Sequence, residues 1–126
     1  MKRSYAVDII ESSRELTAKE RISMKNTADC IRLDEATKDN TSVLIYPEFY
    51  AVLKVTNENS EDKEYLNYIL ADKDGNKYVT GSTTFWKSFM DIYNEMKNES
   101  EEWGIKVFRV DSKKYTGKQF ITCSIV

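Results

Sequence analysis

The sequence predicts a mainly β domain with one main helix, in the order strand, strand, strand, helix, strand, strand. Three observations predict it. Runs rich in β-branched and aromatic residues recur at 42–56, 65–72, 76–81, 103–110 and 119–126. A tight-turn signature, "KDG", separates the second run from the third. A single stretch, 82–98, spaces its apolar residues by three and four, the helical period. At 126 residues the chain is one domain, long enough to bury a core without disulfide or metal staples.

Taken in order, residues 1–41 are expected to form an N-terminal extension packed on a domain of residues 42–126. Within the extension, "YAVDII" reads as a strand or docking arm, and "RELTAKERISMK" (14–25) as a short helix with an irregular apolar stripe. "CIRLDEATKDNT" holds a brief strand and a turn. "SVLIYPEFYAVLKVT" is a long strand in which Pro47, lacking an N–H, demands a bulge, bend or edge position. "NENSEDKE" (57–64) is an acidic loop. "YLNYILAD" and "NKYVTG" form a hairpin whose turn needs Gly75 at positive φ. "STTFWKSFMDIYNEMKN" is a helix capped by Ser82 or Thr83, with Phe85, Phe89, Ile92 and Met96 on its core side. "WGIKVFRV" and "QFITCSIV" complete the set of strands. This order is that of the oligonucleotide/oligosaccharide-binding (OB) fold, a five-stranded barrel with its helix between strands three and four.

Alternation along each strand divides it into two faces. Val43, Ile45, Phe49, Ala51, Leu53 and Val55 make one apolar face of the first long strand, joined inward by Val79, Trp103, Ile105, Val107, Ile121, Cys123 and Ile125. The opposite set carries Tyr46, Tyr50, Tyr78, Phe108 and Phe120 interleaved with Lys54, Lys106 and Lys118. Rings beside lysines suit a single-stranded nucleic acid, because bases stack on the rings and ammonium groups track the phosphates. The alternative is a second hydrophobic layer covered by the N-terminal 40 residues.

Charge is unevenly spread. The formal net charge is −2, yet residues 42–102 carry six basic and twelve acidic groups, and residues 103–126 five basic and one acidic. The basic excess centres on "DSKKYTGKQF", the loop between the last two strands, where Lys113, Lys114 and Lys118 surround Tyr115 and Gly117 permits a tight turn. In an OB barrel this loop flanks the ligand face.

Several functions lose their parts. The chain has no histidine, the commonest general base and zinc ligand. Two distant cysteines make neither a zinc site nor a disulfide framework and suit a reducing cytosol. Acidic pairs such as Glu101 and Glu102 lie in polar, solvated runs. "DKDGN" resembles the start of a calcium loop, but its glycine falls at position four rather than six and Thr83 stands at position twelve. "TGSTT" lacks the spacing of a phosphate-binding P-loop. No enzyme, cofactor or metal is therefore expected. No apolar run approaches membrane-spanning length, so a soluble protein of the cytoplasm is expected, without membrane partners.

The run "DKDGNKYVTGSTTFWKSFMDIYNEM", followed by "DSKKYTGKQFITCSIV" and preceded by "AVLKVTNENSEDKEY", resembles a group of small proteins encoded by bacteriophages and related mobile elements of Gram-positive bacteria. The resemblance reaches from "ELTAKERISMKNT" to the C-terminus, and its most specific blocks are "YVTGS…FW" and "KKYTGKQFITCSI". It implies single-stranded DNA binding in phage DNA replication or recombination, in the host cytoplasm. The chain ends on "ITCSIV", without the acidic tail by which bacterial single-stranded-DNA-binding proteins recruit partners. Single-stranded RNA as ligand, self-association, and contacts with replication or recombination proteins stay open. So does a second class: a phage inhibitor gripping a host protein, its acidic central segment mimicking a nucleic acid.

Overall fold

The computed structural model describes residues 5–59 and 63–126. Part of the acidic loop expected over 57–64 therefore lies outside the described residues. The N-terminal part forms strand β1 (Tyr5–Ser12), helix α1 (Ala18–Lys25), the two-residue strand β2 (Ile31–Arg32) and a single helical turn, α2 (Leu33–Ala36). Then come β3 (Val43–Ile45), β4 (Pro47–Asn57), β5 (Glu64–Asp72) and β6 (Lys77–Thr80). Helix α3 (Thr83–Met96), β7 (Ile105–Asp111) and β8 (Gln119–Ile125) complete the chain.

Local signals explain most boundaries. Thr17 starts α1 through a reciprocal capping box with Glu20, whose carboxylate also meets Arg14 at 2.8 Å. The hydrogen bond from Arg14, then the Thr17 backbone N–H, hold the Glu20 carboxyl down at about 2. Ser82 caps α3 by accepting the Phe85 N–H at 3.1 Å. Asp72 closes the β5–β6 turn, accepting from the N–H groups of Asp74 and Asn76, and Gly75 adopts φ +89° there.

The strands form two sheets, β1-β4-β5-β6-β2 and β3-β7-β8. Every pairing is antiparallel except the short parallel one of β2 with β6. The mainly β architecture with one main helix is thus present, but among the described residues the strands do not close into a barrel. The reason lies at the two edges that closure would join. β2 occupies the free edge of β6, with Ile31 opposite Tyr78 and Arg32 opposite Val79. β8, the other edge, has α3 running alongside it, and Ser88 Oγ meets Thr122 Oγ1 at 3.0 Å. Residues 5–41, read as an extension, supply both edge strands of the larger sheet.

β3 and β4 are one run of chain, interrupted only at Tyr46, which serves both sheets. The irregularity expected at Pro47 is there: Pro47 pairs with Asp72 and Phe49 with Ala71, leaving Glu48 as an extra residue. The insertion reverses the parity of the strand, since a one-residue slip turns every following side chain to the other face. Ile45 therefore shares a core with Tyr50 and Val52, not with Ala51, Leu53 and Val55 as uninterrupted alternation predicts.

Two cores result. The first lies between the sheets and α3: Tyr50, Val52, Tyr68, Leu70 and Tyr78 from one sheet, Ile45, Ile105, Val107, Ile121 and Cys123 from the other, and Phe85 and Phe89 from the helix. Its rings interlock, with Trp86 stacked on Tyr68 at 4.7 Å and Tyr50 edge-on to Trp86, Phe89 and Tyr93. The second core is the opposite face of the larger sheet, where Leu16 and Met24 cover Ala51, Leu53, Ile69, Ala71 and Val79. Met96 and Ile125, expected inside, are the exceptions: both line an open hollow between the end of α3 and the end of β8. Because Phe89 is fully buried in the first core, Phe89→Ala is expected to cost about 3–5 kcal/mol of stability by denaturant unfolding.

Candidate functional site

With the centre of the larger sheet covered on both sides, the open sheet surface is the outer face of β3-β7-β8. Register defines it. Ile105, Val107, Ile121 and Cys123 point into the core, so their neighbours point out. Leu44, Lys106 and Ser124 form one outward row, Phe108 and Thr122 the next, Val110 and Phe120 the third. Successive rows stand about 7 Å apart along the strands. Lys106, Phe108 and Phe120 thus share one face, as the alternation predicts, and Leu44 adds an exposed apolar side chain outside the pattern of rings and lysines.

Beyond the third row the chain turns through 112–118. Ser112 N–H donates to the Lys118 carbonyl at 2.9 Å, and Lys118 N–H donates to the Tyr115 carbonyl at 3.1 Å. Ser112 Oγ accepts from the N–H groups of Lys114 and Tyr115. Gly117 sits at φ +80°, a conformation that a side chain would strain. At the base of the loop, Gln119 Nε2 donates to Asp111 Oδ1 at 2.9 Å. These bonds fix the tip, which leaves Tyr115 59 % exposed with the Lys114 ammonium 5.6 Å from its ring centre.

Between this hairpin and the first turn of α3 lies a groove of about 550 Å³, lined by Thr84, Ser112, Tyr115, Lys118, Gln119 and Phe120. Three residues picked out from sequence, Tyr115, Lys118 and Phe120, converge on it. Ser112 and Gln119 flank them in the chain and were legible as neighbours. Thr84 was not, because only the path of α3 beside β8 brings it there. Lys106, Lys113, Lys114 and Lys118 enter no ion pair among the described residues, as is also true of Lys19, Lys25, Lys63, Lys87 and Lys97, whereas Lys38, Lys54, Lys73 and Lys77 are each matched by a carboxylate. Arg109 is used structurally: its guanidinium donates to Thr37 Oγ1 and to the Asp34 carbonyl, tying the N-terminal segment to β7.

No family model, no curated protein and no solved structure matches the chain.

Two of the expected surface rings are corrected. Tyr50 and Tyr78 are each only 6 % exposed, in the core under α3, with hydroxyls on Glu11 and Asp72. The inserted Glu48 explains Tyr50, and enclosure in the first core, between the two sheets and α3, explains Tyr78. Burial first, then Glu11, pushes the Tyr50 phenol up to about 12, and burial with Asp72 raises Tyr78. Tyr46 and Lys54 lie away from the groove. Tyr46 is half-exposed where β3 passes into β4, its ring so close to Gly104 that a Cβ there would come within 2.8 Å. Lys54 belongs to the larger sheet and pairs with Glu64 at 3.5 Å.

Among the described residues no group of histidine, cysteine or carboxylate side chains could hold a metal ion. Burial raises the thiol of Cys30 and pushes that of Cys123 up to about 12, opposite to what a nucleophilic thiolate needs. No helix among the described residues is long and apolar enough to cross a membrane.

The buried and exposed rings should respond differently to mutation. Tyr50→Phe is expected to cost about 0.5–1.5 kcal/mol, whereas Tyr115→Ala should stay within about 0.5 kcal/mol of the parent in denaturant titrations. Because the Tyr50 phenol is raised above its ordinary value of 10, the stability it contributes is complete below pH 10 and is lost as pH climbs toward about 12. Tyr50→Phe should flatten that alkaline decline.

Proposed function

We propose that this protein is a non-catalytic binder of single-stranded nucleic acid, DNA in the first instance, serving replication or recombination of a phage or mobile element in a host cytoplasm. The observation that carries the reading is the convergence of Tyr115, Phe120 and Lys118 on one open groove beside unpaired lysines. Phe108 and Lys106 extend this surface along the outer face of the smaller sheet. Bases would stack on the rings, each worth about 1–3 kcal/mol, while Lys106, Lys113, Lys114 and Lys118 follow the phosphates.

The connectivity supports the same reading. A meander of β4, β5 and β6, then α3, then β7 paired both to β8 and back to β3, follows the element order expected of an OB fold. On this reading the fold is an opened OB barrel, with β2 added at the edge where closure would occur. The resemblance of "YVTGS…FW" and "KKYTGKQFITCSI" to small phage proteins points the same way. Inhibition of a host protein by nucleic-acid mimicry would place carboxylates among the exposed rings, and the groove contains none.

The test is anisotropy of a labelled single-stranded oligonucleotide titrated at several salt concentrations. Affinity should fall with salt, the logarithmic slope counting about 0.7 per phosphate neutralised. Replacing Lys113 and Lys114 together by alanine should lower both affinity and slope. Tyr115→Phe should bind almost like the parent, because stacking needs the ring and not the hydroxyl. Tyr115→Ala should lose about 1–3 kcal/mol with its slope unchanged. Absence of binding at low salt, or binding indifferent to salt, would remove this function.

A further inference from the structure

We propose that the protein associates with itself head to tail, the basic β7–β8 hairpin tip of one copy seated in an acidic-rimmed hollow at the far end of β8 in the next. The hollow, about 260 Å³, is lined by Ile92, Met96 and Ile125 with Asp91 and Glu95. Ile92 and Met96 lie one turn apart on α3, and Asp91 and Glu95 form the adjacent stripe. Ile125 is 49 % exposed there. Neither carboxylate takes part in an ion pair or hydrogen bond among the described residues. An apolar floor beside two unmatched anions calls for a side chain with an apolar body, accompanied by cations.

The hairpin tip has that chemistry. Tyr115 projects from it as a ring with a polar end, and Lys113, Lys114 and Lys118 surround it without carboxylate partners. The charges match at a coarser scale too, six net negative over 42–102 against four net positive over 103–126. A copy cannot satisfy its own hollow. Phe120, beside the tip, and Ile125, in the hollow, are five residues apart along an extended strand, or roughly 17 Å. The two surfaces differ, so the contact is heterologous and repeats into an open chain of copies. A contact this small, between exposed charges, is weak and sensitive to salt.

The same tip borders the groove assigned to single strands. On that reading, which this consequence alone rests on, a bound oligonucleotide and a neighbouring copy compete for Tyr115, so single strands disassemble the chain of copies.

Sedimentation velocity of the full chain without nucleic acid tests the association. At low salt the average sedimentation coefficient should rise with concentration, and about 0.5 M salt should abolish the rise. Reversing the rim with D91K/E95K, or the tip with K113E/K114E, should weaken association about tenfold. An equimolar mixture of the two variants should associate again, because opposite charges then meet at both contacts. A protein that stays monomeric at low salt, oligomers indifferent to both reversals, or a mixture that stays monomeric would overturn the proposal. D91K/E95K lies outside the groove, so at protein concentrations too low for self-association it should bind oligonucleotide no more weakly than the parent. A parent that self-associates as described but binds no oligonucleotide would sink the nucleic-acid reading and leave this one standing; a monomer that binds oligonucleotide would do the reverse.

Discussion

The bulge at the junction of β3 and β4 is the constraint on which the rest of the architecture depends. One run of chain enters the smaller sheet at Val43 and leaves the larger one at Asn57. Between them, Pro47 supplies no N–H to the ladder and Glu48 stands as an extra residue against β5. The inserted residue changes which side of the strand meets α3. Ile45 and Tyr50, of opposite parity in sequence, end in one core, and both sheets close on the same helix face. Gly104 fits this junction, since any side chain there would collide with the Tyr46 ring.

That switch determines which sheet surfaces stay open. With Tyr50, Val52, Tyr68 and Leu70 under α3, and Ala51, Leu53, Ile69 and Ala71 under Leu16 and Met24, the middle of the larger sheet has no free face. α3 lies along β8 and shields its edge, a common way to prevent unwanted strand pairing. What stays open is the outer face of β3-β7-β8 and the hairpin that extends it. Lys106, Lys113, Lys114 and Lys118, none of them in an ion pair among the described residues, lie there or at its tip, beside Phe108, Phe120 and Tyr115.

Opposed charge along the chain becomes opposed charge in space through β8. The strand begins beside the lysines of the tip and ends beside Asp91 and Glu95, at the hollow left by the last turns of α3. Its own sequence, "QFITCSIV", carries no charged side chain, so it acts as a neutral spacer between two unlike surfaces. Polarity of this kind is what the proposed binding of a polyanion and of a second copy would both draw on, and it would make the two mutually exclusive.

Local chemistry decided what the sequence could determine alone. The residue types and period of 83–96 produce a helix capped by Ser82, "KDG" produces a hairpin, and alternation assigns the faces of β7 and β8 because no bulge interrupts them. The lysines and tyrosine of the hairpin were likewise legible, since the turn and its flanking strands hold them together without long-range help. Tertiary structure decided the rest. Whether Tyr50 and Tyr78 face solvent depends on the parity change at Glu48 and on the core that the two sheets and α3 enclose, and neither propensity nor period reports these. Thr84 joins the groove only because the helix runs beside β8. The sheets stay open because Ile31 and Arg32, the brief strand legible in "CIRLDEATKDNT", pair with β6, a partner that their own sequence does not specify, while Leu16 and Met24 cover the other face. Pairings between distant segments are chosen by the shape of the surfaces that meet, and that shape exists only once the chain has folded.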